Sequence, residues 1–274
     1  MKVQFHYGYP INLDIDCSKP VDVYIDQFTM DPIPPDSLRI VILQEPWREP
    51  LVSLVQKHQD KYTHLLTYQE DILDSNPKAR LFHFPNTWVK GYVPKKEFSV
   101  STVVGGKNFM QGHALRHELW RNQDKITIPK NFWLSGNAPH SHTFVPWDEV
   151  NYLGRRVLGA SKEPLFTSMF HIAIENCSIS NYFTEKIIDC FQTRTVPIYY
   201  GCMNIGDFFN AKGIWIVSNV SEMITVCNNL LTPESYEKIL PVLNDNFERS
   251  NKWCDQDEQL KKGITLILNE ENYA

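Results

Sequence analysis

The sequence lacks several features that mark other classes of protein. No apolar run among its 274 residues approaches the roughly 20 residues that a membrane-spanning helix needs. It contains no internal repeat and no low-complexity tract. The net charge is −5, so nothing indicates nucleic acid as a partner. Any binding of phosphate must therefore depend on individual basic side chains placed in a site.

The six cysteines also lack a recognisable framework, because none of them forms a CxxC pair or a regular spacing. This pattern predicts reduced thiols in an intracellular protein. The first ten residues, MKVQFHYGYP, predict a strand and not a signal peptide. We therefore expect a cytoplasmic protein.

What the sequence does contain is ample material for a core, with 42% apolar and 12% aromatic residues. Runs rich in β-formers alternate with helical patterns, which predicts an α/β fold with parallel sheets. The motif GYVPKK at residues 91–96 resembles a linker, so we predict two domains, 1–95 and 96–274. We expect Pro241 to interrupt the helix predicted at 233–247. The sequence leaves open whether the last helix, at 257–270, returns to the first domain.

The most informative segment is residues 170–201, FHIAIENCSISNYFTEKIIDCFQTRTVPIYYG. The apolar run at its start ends in Glu175 and Asn176. After a polar loop a helix opens with Glu185 and Lys186 in its first turn, and a second β-rich run follows. Such strand–loop–helix–strand units bind ligands where the loop leaves the strand. An acid and a base beside a helix N-terminus suit a ligand that carries hydroxyls and phosphates, such as a sugar nucleotide.

The amino-acid sequence of this segment closely resembles the signature of the α-1,3/4-fucosyltransferases. In that family an apolar strand ends in Glu-Asn, and a Tyr-x-Thr-Glu-Lys helix start, a Val/Ile-Pro strand and a glycine follow. The matching elements here are Glu175–Asn176, residues 182–186, residues 196–198 and Gly201. The resemblance is looser over residues 98–230 and faint before them. Animal and plant members of the family typically have a membrane anchor and disulfides, and since the sequence shows neither pattern, the resemblance implies the soluble bacterial or viral type. It implies GT-B architecture, with two Rossmann-like domains facing a cleft, and an inverting transfer of L-fucose from GDP-fucose to a glycan hydroxyl, in α-1,3 or α-1,4 linkage.

The resemblance also implies roles for residues of the donor site. Lys186 and Arg116 match the family's cations for the diphosphate. Glu185 would accept hydrogen bonds from ribose hydroxyls. The loop before Arg116 is longer than in the family, so Arg121 or Lys107 remain alternatives for its role.

Four further residues of the segment belong to the predicted site, and three of them have two readings each. Asn176 and Tyr182 match residues that line the nucleotide-sugar pocket, although Tyr182 fits a packed loop aromatic as well. Glu175 either contacts the sugar or fixes the loop. Thr184 is better explained as a helix N-cap than as a ligand contact.

The base that takes the acceptor proton should come from the first domain. Glu45 follows the strongest apolar strand of that domain and is our first candidate. Glu49 is the second candidate and Glu70 the third. Trp47, beside Glu45, either stacks on an acceptor sugar or packs as an ordinary tryptophan.

We expect no metal cofactor. No DxD motif lies in the predicted donor site, and His113 and His117, four apart on a helix, have no third ligand in the sequence pattern. Two other functions remain open at this point. One is a transferase of the same fold that uses another nucleotide sugar, and the other is an inactive module that binds glycan or nucleotide.

Overall fold

The structure is a computed structural model that describes residues 1–9, 11, 13–46, 49–135 and 158–274. It contains two compact units. Unit 1 comprises Met1–Phe84, Ser180–Tyr182 and Asp255–Ala274, and unit 2 comprises Pro85–Ile179 and Phe183–Cys254. Within these described ranges no helix combines the length and the apolar character that crossing a bilayer requires.

Unit 1 is built on a parallel sheet of five strands in the order β1-β2-β3-β4-β5. The strands are Gln4–His6, Val21–Ile25, Leu38–Ile42, His64–Thr67 and Ala79–Leu81. Its helices are α1 (Leu51–Lys57), α2 (Glu70–Ser75) and α7 (Gln256–Glu270).

The residues of β3 explain why unit 1 has a helix layer on each face of its sheet. Successive side chains of a strand point to opposite faces. Ile40 and Ile42 pack in a cluster with Leu260 and Ile264 of α7, whereas Val41 packs in another cluster with residues of α1 and α2. Because both faces are covered, every residue of β3 is buried, as is usual for strands of a parallel sheet.

Unit 2 is a second parallel five-stranded sheet, ordered β10-β9-β8-β6-β7. Its strands are β6 (Glu97–Val104), β7 (Lys130–Leu134), β8 (Ser168–Ile174), β9 (Val196–Tyr200) and β10 (Trp215–Ile216). Its helices are α3 (Gln111–Arg121), α4 (Glu185–Gln192), α5 (Val220–Asn229) and α6 (Pro233–Ser250). The α/β fold class predicted from the sequence is confirmed, since both units are parallel sheets with helices.

The expected break at Pro241 is wrong, because α6 runs without interruption from Pro233 to Ser250. A proline inside a helix removes one backbone hydrogen bond. Here Thr232 and Ser235 form a capping box at the start of the helix, and the buried Tyr236 and Leu243 pack on the core of unit 2. Capping and packing outweigh the local cost of the proline.

The units also differ from the ranges predicted from the sequence. The chain passes from unit 1 to unit 2 after Phe84, so the predicted linker at 91–96 lies inside unit 2. The last helix, α7, is part of unit 1 and closes one face of its sheet. The short piece Ser180–Tyr182 also belongs to unit 1, although the segments on either side of it belong to unit 2.

Candidate active site in unit 2

The order of strands in unit 2 indicates a ligand site at the carboxyl ends of two neighbouring strands, β6 and β8. From β6 the chain adds β7 on one side, and it then returns to place β8, β9 and β10 on the other. The direction of winding therefore reverses between β6 and β8. Crevices at the carboxyl ends of strands flanking such a reversal are the usual ligand sites of open α/β sheets. In unit 1 the strands follow one another in sequence order, without a reversal.

Glu175 follows β8 directly and is completely buried. Its Oε1 accepts a hydrogen bond from the backbone N of Thr184 at 2.9 Å, and its Oε2 accepts one from Thr184 Oγ1 at 2.7 Å. The Lys186 Nζ lies 3.5 Å from Oε2. A buried carboxylate is tolerated only when it is paired and hydrogen-bonded. Glu175 thus ties the end of β8 to the start of α4, which favours the loop-fixing reading of this residue.

The first turn of α4 is organised by the Thr184 hydroxyl. Thr184 is the N-cap, and its Oγ1 accepts hydrogen bonds from the backbone N of Lys186 at 3.4 Å and from its Nζ at 3.0 Å. The same Nζ donates to Glu185 Oε1 at 3.2 Å. Burial opposes the charge on this lysine, but the neighbouring carboxylates of Glu185 and Glu175 outweigh it and raise the pKa of Lys186. Lys186 is therefore cationic, and its side chain remains 22% exposed.

Glu185 is held between two lysines. Lys162 lies 3.3 Å from Glu185 Oε1, the same oxygen that Lys186 contacts. Although burial acts in the opposite direction, the two ammonium groups hold the pKa of Glu185 far below its usual range. At neutral pH the start of α4 therefore presents an ionised carboxylate flanked by two cations.

One turn further along α4, Asp189 is a buried acid with different electrostatics. Its Oδ1 accepts hydrogen bonds from Thr87 Oγ1 and from the backbone N of Trp88, each at 2.8 Å. The nearest cation, Lys162, lies 4.0 Å from Oδ2. Burial raises the pKa of Asp189 to about 7, and the charge of Glu185 adds to this effect.

Helix α3 approaches the end of β8 from the loop that follows β6. A Cβ atom on Gly112 would lie 1.7 Å from the carbonyl oxygen of Glu175, so only glycine fits. The Gly112 N donates to the carbonyl oxygen of Asn176 at 2.9 Å. Arg116, one turn later, donates from Nε and Nη2 to the Ile174 carbonyl oxygen, and from Nη2 to Asn176 Oδ1 at 3.1 Å. The structure thereby places Arg116 and Asn176 beside Glu175, at the carboxyl end of β8.

A second glycine encloses Glu175 from the side of β9. A Cβ atom on Gly201 would lie 2.5 Å from Glu175 Cγ and 2.4 Å from the hydroxyl of the buried Tyr199. The backbone N of Glu175 donates to the Tyr200 carbonyl oxygen at 2.8 Å. Gly112 therefore leaves room for the backbone of Glu175, and Gly201 leaves room for its side chain.

The two histidines of α3 are buried and mostly neutral at pH 7. His113 is 3% exposed, and burial together with the neighbouring cations lowers its pKa to about 4. His117 Nε2 lies 2.9 Å from the Gly105 carbonyl oxygen, and burial lowers its pKa as well. Within the described part of the chain no three His, Cys, Asp or Glu side chains are grouped so as to hold a metal ion.

Lys107 and Arg121, the alternatives to Arg116, also belong to unit 2, whereas the candidate bases Glu45, Glu49 and Glu70 belong to unit 1. Glu45 is half-buried three residues beyond the end of β3, and its backbone N donates a hydrogen bond to Asp26 Oδ1 at 3.2 Å. The alternative Glu49 is exposed and accepts from Ser53 Oγ at 2.8 Å. Trp47 lies outside the described residues.

Tyr182, predicted as a donor contact, is also assigned to unit 1. It is 5% exposed, and its ring packs 5.2 Å from that of Tyr68. In the same unit the Asn181 side chain donates to Glu70, the third candidate base, at 3.4 Å. The structure thus gathers Arg116, Glu175, Asn176, Glu185 and Lys186 in unit 2, and Tyr182, Glu45 and Glu70 in unit 1.

The sequence-based reading missed two contributors to the site in unit 2. Lys162 lies 23 residues before Glu185 and carries no motif, so nothing in the sequence indicated that the two side chains would pair. The close approach of Gly112 to Glu175 was also missed. A glycine in the first turn of a predicted helix is a weak signal, because glycine is a poor helix former and calls for a packing reason.

Comparison with known proteins gives a short match in sequence and an extensive one in structure. No protein-family model matches the chain. An α-(1,3)-fucosyltransferase of Helicobacter pylori is 39% identical over 62 residues, a stretch that covers 23% of this chain and only 13% of that protein.

Solved structures of several glycosyltransferases share the fold. An α-1,3-fucosyltransferase crystallised with GDP-fucose superimposes with a TM-score of 0.53 and 17% identity, over 89% of this chain and 77% of that one. TarM gives a TM-score of 0.58 at 12% identity, over 90% of this chain and 54% of that one. The pneumococcal O-GlcNAc transferase GtfA, in complex with UDP and GlcNAc, gives 0.54 at 9% identity, over 90% and 56%. The chain therefore has the GT-B fold of glycosyltransferases, and its sequence resembles that of the α-1,3-fucosyltransferases.

Proposed function

We propose that the chain is an inverting fucosyltransferase that moves L-fucose from GDP-fucose to a hydroxyl of a glycan acceptor, in α-1,3 or α-1,4 linkage. The observation that carries this proposal is the cluster at the start of α4. There an ionised Glu185 and a cationic Lys186 form an ion pair, at the carboxyl end of the sheet where the direction of winding reverses. The signature in residues 170–201 and the similarity to an α-1,3-fucosyltransferase with GDP-fucose favour this donor.

In this proposal the residues of unit 2 bind the donor in three parts. Lys186 and Arg116 hold the diphosphate, where a guanidinium can grip two phosphate oxygens and an ammonium acts as a compact charge. Glu185 accepts hydrogen bonds from ribose hydroxyls, as acids do in other nucleotide sites. Glu175 and Asn176 position these groups, since their side chains bond to Thr184 and Arg116.

The proposed reaction is a single displacement at the anomeric carbon of fucose. The acceptor oxygen attacks and forms the new glycosidic bond while the bond from fucose to the diphosphate breaks. The proton of the acceptor hydroxyl passes to a carboxylate, for which Glu45 is our candidate. Lys186 and Arg116 stabilise the negative charge that develops on the leaving GDP. We propose that these side chains serve without a resident metal ion.

A transfer assay with labelled GDP-fucose on a glycan array tests this proposal, because it reports donor, acceptor and activity together. Lys186→Ala should lose transfer and bind GDP at least tenfold more weakly, as expected when a charge-assisted hydrogen bond to phosphate is removed. Lys212→Ala, which changes an exposed lysine of the same unit, is the matched control. Transfer by Lys186→Ala at the rate of the control would contradict the proposed site.

The second candidate is a transferase that uses another nucleotide sugar. The similarity to GtfA, whose structure contains UDP and GlcNAc, favours it. Competition binding of GDP-fucose, GDP-mannose and UDP-GlcNAc to the same protein separates the two candidates. Preference for the UDP-sugar would overturn the choice of donor, whereas binding of GDP-fucose without hydrolysis or transfer would indicate an inactive binding module.

A further inference from the structure

His113 occupies an unusual position in the first turn of α3. The helix begins at Gln111, its N-cap Met110 provides no side-chain hydrogen bond, and its first turn contains no acidic residue. His113 is 3% exposed, and its Nδ1 is buried with no hydrogen-bond partner. A buried polar atom that lacks a partner costs free energy, so an unpartnered imidazole at a helix N-terminus calls for a ligand.

The charged groups that most affect the pKa of His113 are all cationic, and one of them, Lys186, is itself paired with the carboxylates of Glu175 and Glu185. Besides burial, the positive charges of Arg116, Lys107 and Lys186 lower the pKa of its imidazole. The nearby His117 lowers this pKa as well. The only ring packed on it in the described contacts is Phe109, with ring centroids 4.7 Å apart. Three cations, a helix N-terminus and an unpartnered imidazole together make a setting that an anion would stabilise.

We propose that His113 is a ligand of the donor's diphosphate, which it binds by donating a hydrogen bond to a phosphate oxygen and by taking up a proton from solvent. This inference rests on the proposed function, because it adds a residue to the same donor site. It goes beyond the cations Lys186 and Arg116, since His113 changes its charge as the ligand arrives.

The physical reason is linkage between the anion and the proton. In the free protein, burial and the neighbouring cations lower the pKa of His113 to about 4, so the imidazole is neutral at pH 7. A diphosphate placed among the same groups reverses the sign of the local field and stabilises the imidazolium. Binding therefore raises the pKa of His113, and the protein gains a proton when GDP binds and releases it when GDP leaves.

The test is a titration of the whole chain, labelled with ¹⁵N-histidine, with GDP and separately with inorganic pyrophosphate at pH 6. The His113 ring nitrogens, identified by their absence in His113→Gln, should shift toward the imidazolium values with either ligand. Calorimetry in buffers of different ionisation enthalpy should detect proton uptake by the wild type. His113→Gln should bind GDP about tenfold more weakly and without that uptake, whereas His58→Gln, a change in unit 1, should match the wild type.

The outcomes separate this inference from the proposed function. If GDP binds and the His113 signals do not move, His113 is a packing residue and the inference is wrong. If UDP binds in preference to GDP and the His113 signals still shift, the donor is wrong and the role of His113 is supported. If neither the nucleotides nor pyrophosphate bind, both the role of His113 and the proposed function are wrong. The wild-type titration decides between these outcomes even where His113→Gln is poorly folded, because His113→Asn supplies a second means of assigning the signals.

Discussion

Replacing Thr184 with valine should destabilise unit 2 by about 3 kcal/mol, although the two side chains have nearly the same shape. The Thr184 hydroxyl donates to the buried Glu175 carboxylate at 2.7 Å and caps α4 through the backbone N of Lys186. Loss of an N-cap costs about 1 kcal/mol. Loss of a hydrogen bond to a buried charged group costs about 1.5–3 kcal/mol. The two effects share one hydroxyl and do not add fully, which places the sum near 3 kcal/mol.

Urea denaturation followed by tryptophan fluorescence measures this change, because unit 2 contains Trp88, Trp120, Trp133, Trp215 and Trp253. At about 2–3 kcal/mol per molar urea, the midpoint of Thr184→Val should fall by about 1 M. Thr184→Ser retains the hydroxyl and should stay within about 0.5 kcal/mol of the wild type. A valine variant that unfolds at the same urea concentration as the serine variant would refute the reasoning, since the hydroxyl would then contribute nothing to holding Glu175.

Three further predictions concern the base, the metal and the buried acid of α4. Glu45→Gln should abolish transfer but leave GDP binding unchanged in calorimetry, because the amide cannot take a proton; normal transfer would assign the base to another acid. Transfer by the wild type should persist in excess EDTA, and its loss with recovery on adding Mg²⁺ or Mn²⁺ would show that the side-chain cations are insufficient. Asp189 has its pKa raised to about 7 from 3.8. The unfolded chain therefore releases this proton first, and wild-type stability relative to Asp189→Asn should fall by up to about 4 kcal/mol between pH 4 and 7 in urea titrations.

The sequence predicted those parts of the site that local physics determines. Thr184, Glu185 and Lys186 form a helix start whose capping chemistry can be read from three consecutive residues, and the structure confirms Thr184 as the N-cap. The alternation of strands and helices likewise predicted two parallel sheets.

The other features of the site and the fold depend on contacts between residues that are distant in the sequence. Lys162 reaches Glu185 across 23 residues, and no spacing rule indicates such a pair. Gly112 touches Glu175 because α3 packs against the end of β8. The assignment of α7 to unit 1 follows from the open face of that sheet, which its buried leucines and isoleucines cover. Helix α6 continues through Pro241 for a similar reason, since tertiary packing outweighs the low helix propensity of proline.

The two glycines that flank Glu175 have a practical consequence for redesign. A methyl group at position 112 or at position 201 would overlap with atoms of the same glutamate, so mutational tolerance at this pair should be close to nil and suppressor changes difficult to find. Variation in this part of unit 2 is better directed at Trp88, beside Lys162. There the ammonium rests 4.5 Å above an indole that is 61% exposed, and a library has room for side chains of other sizes and charges.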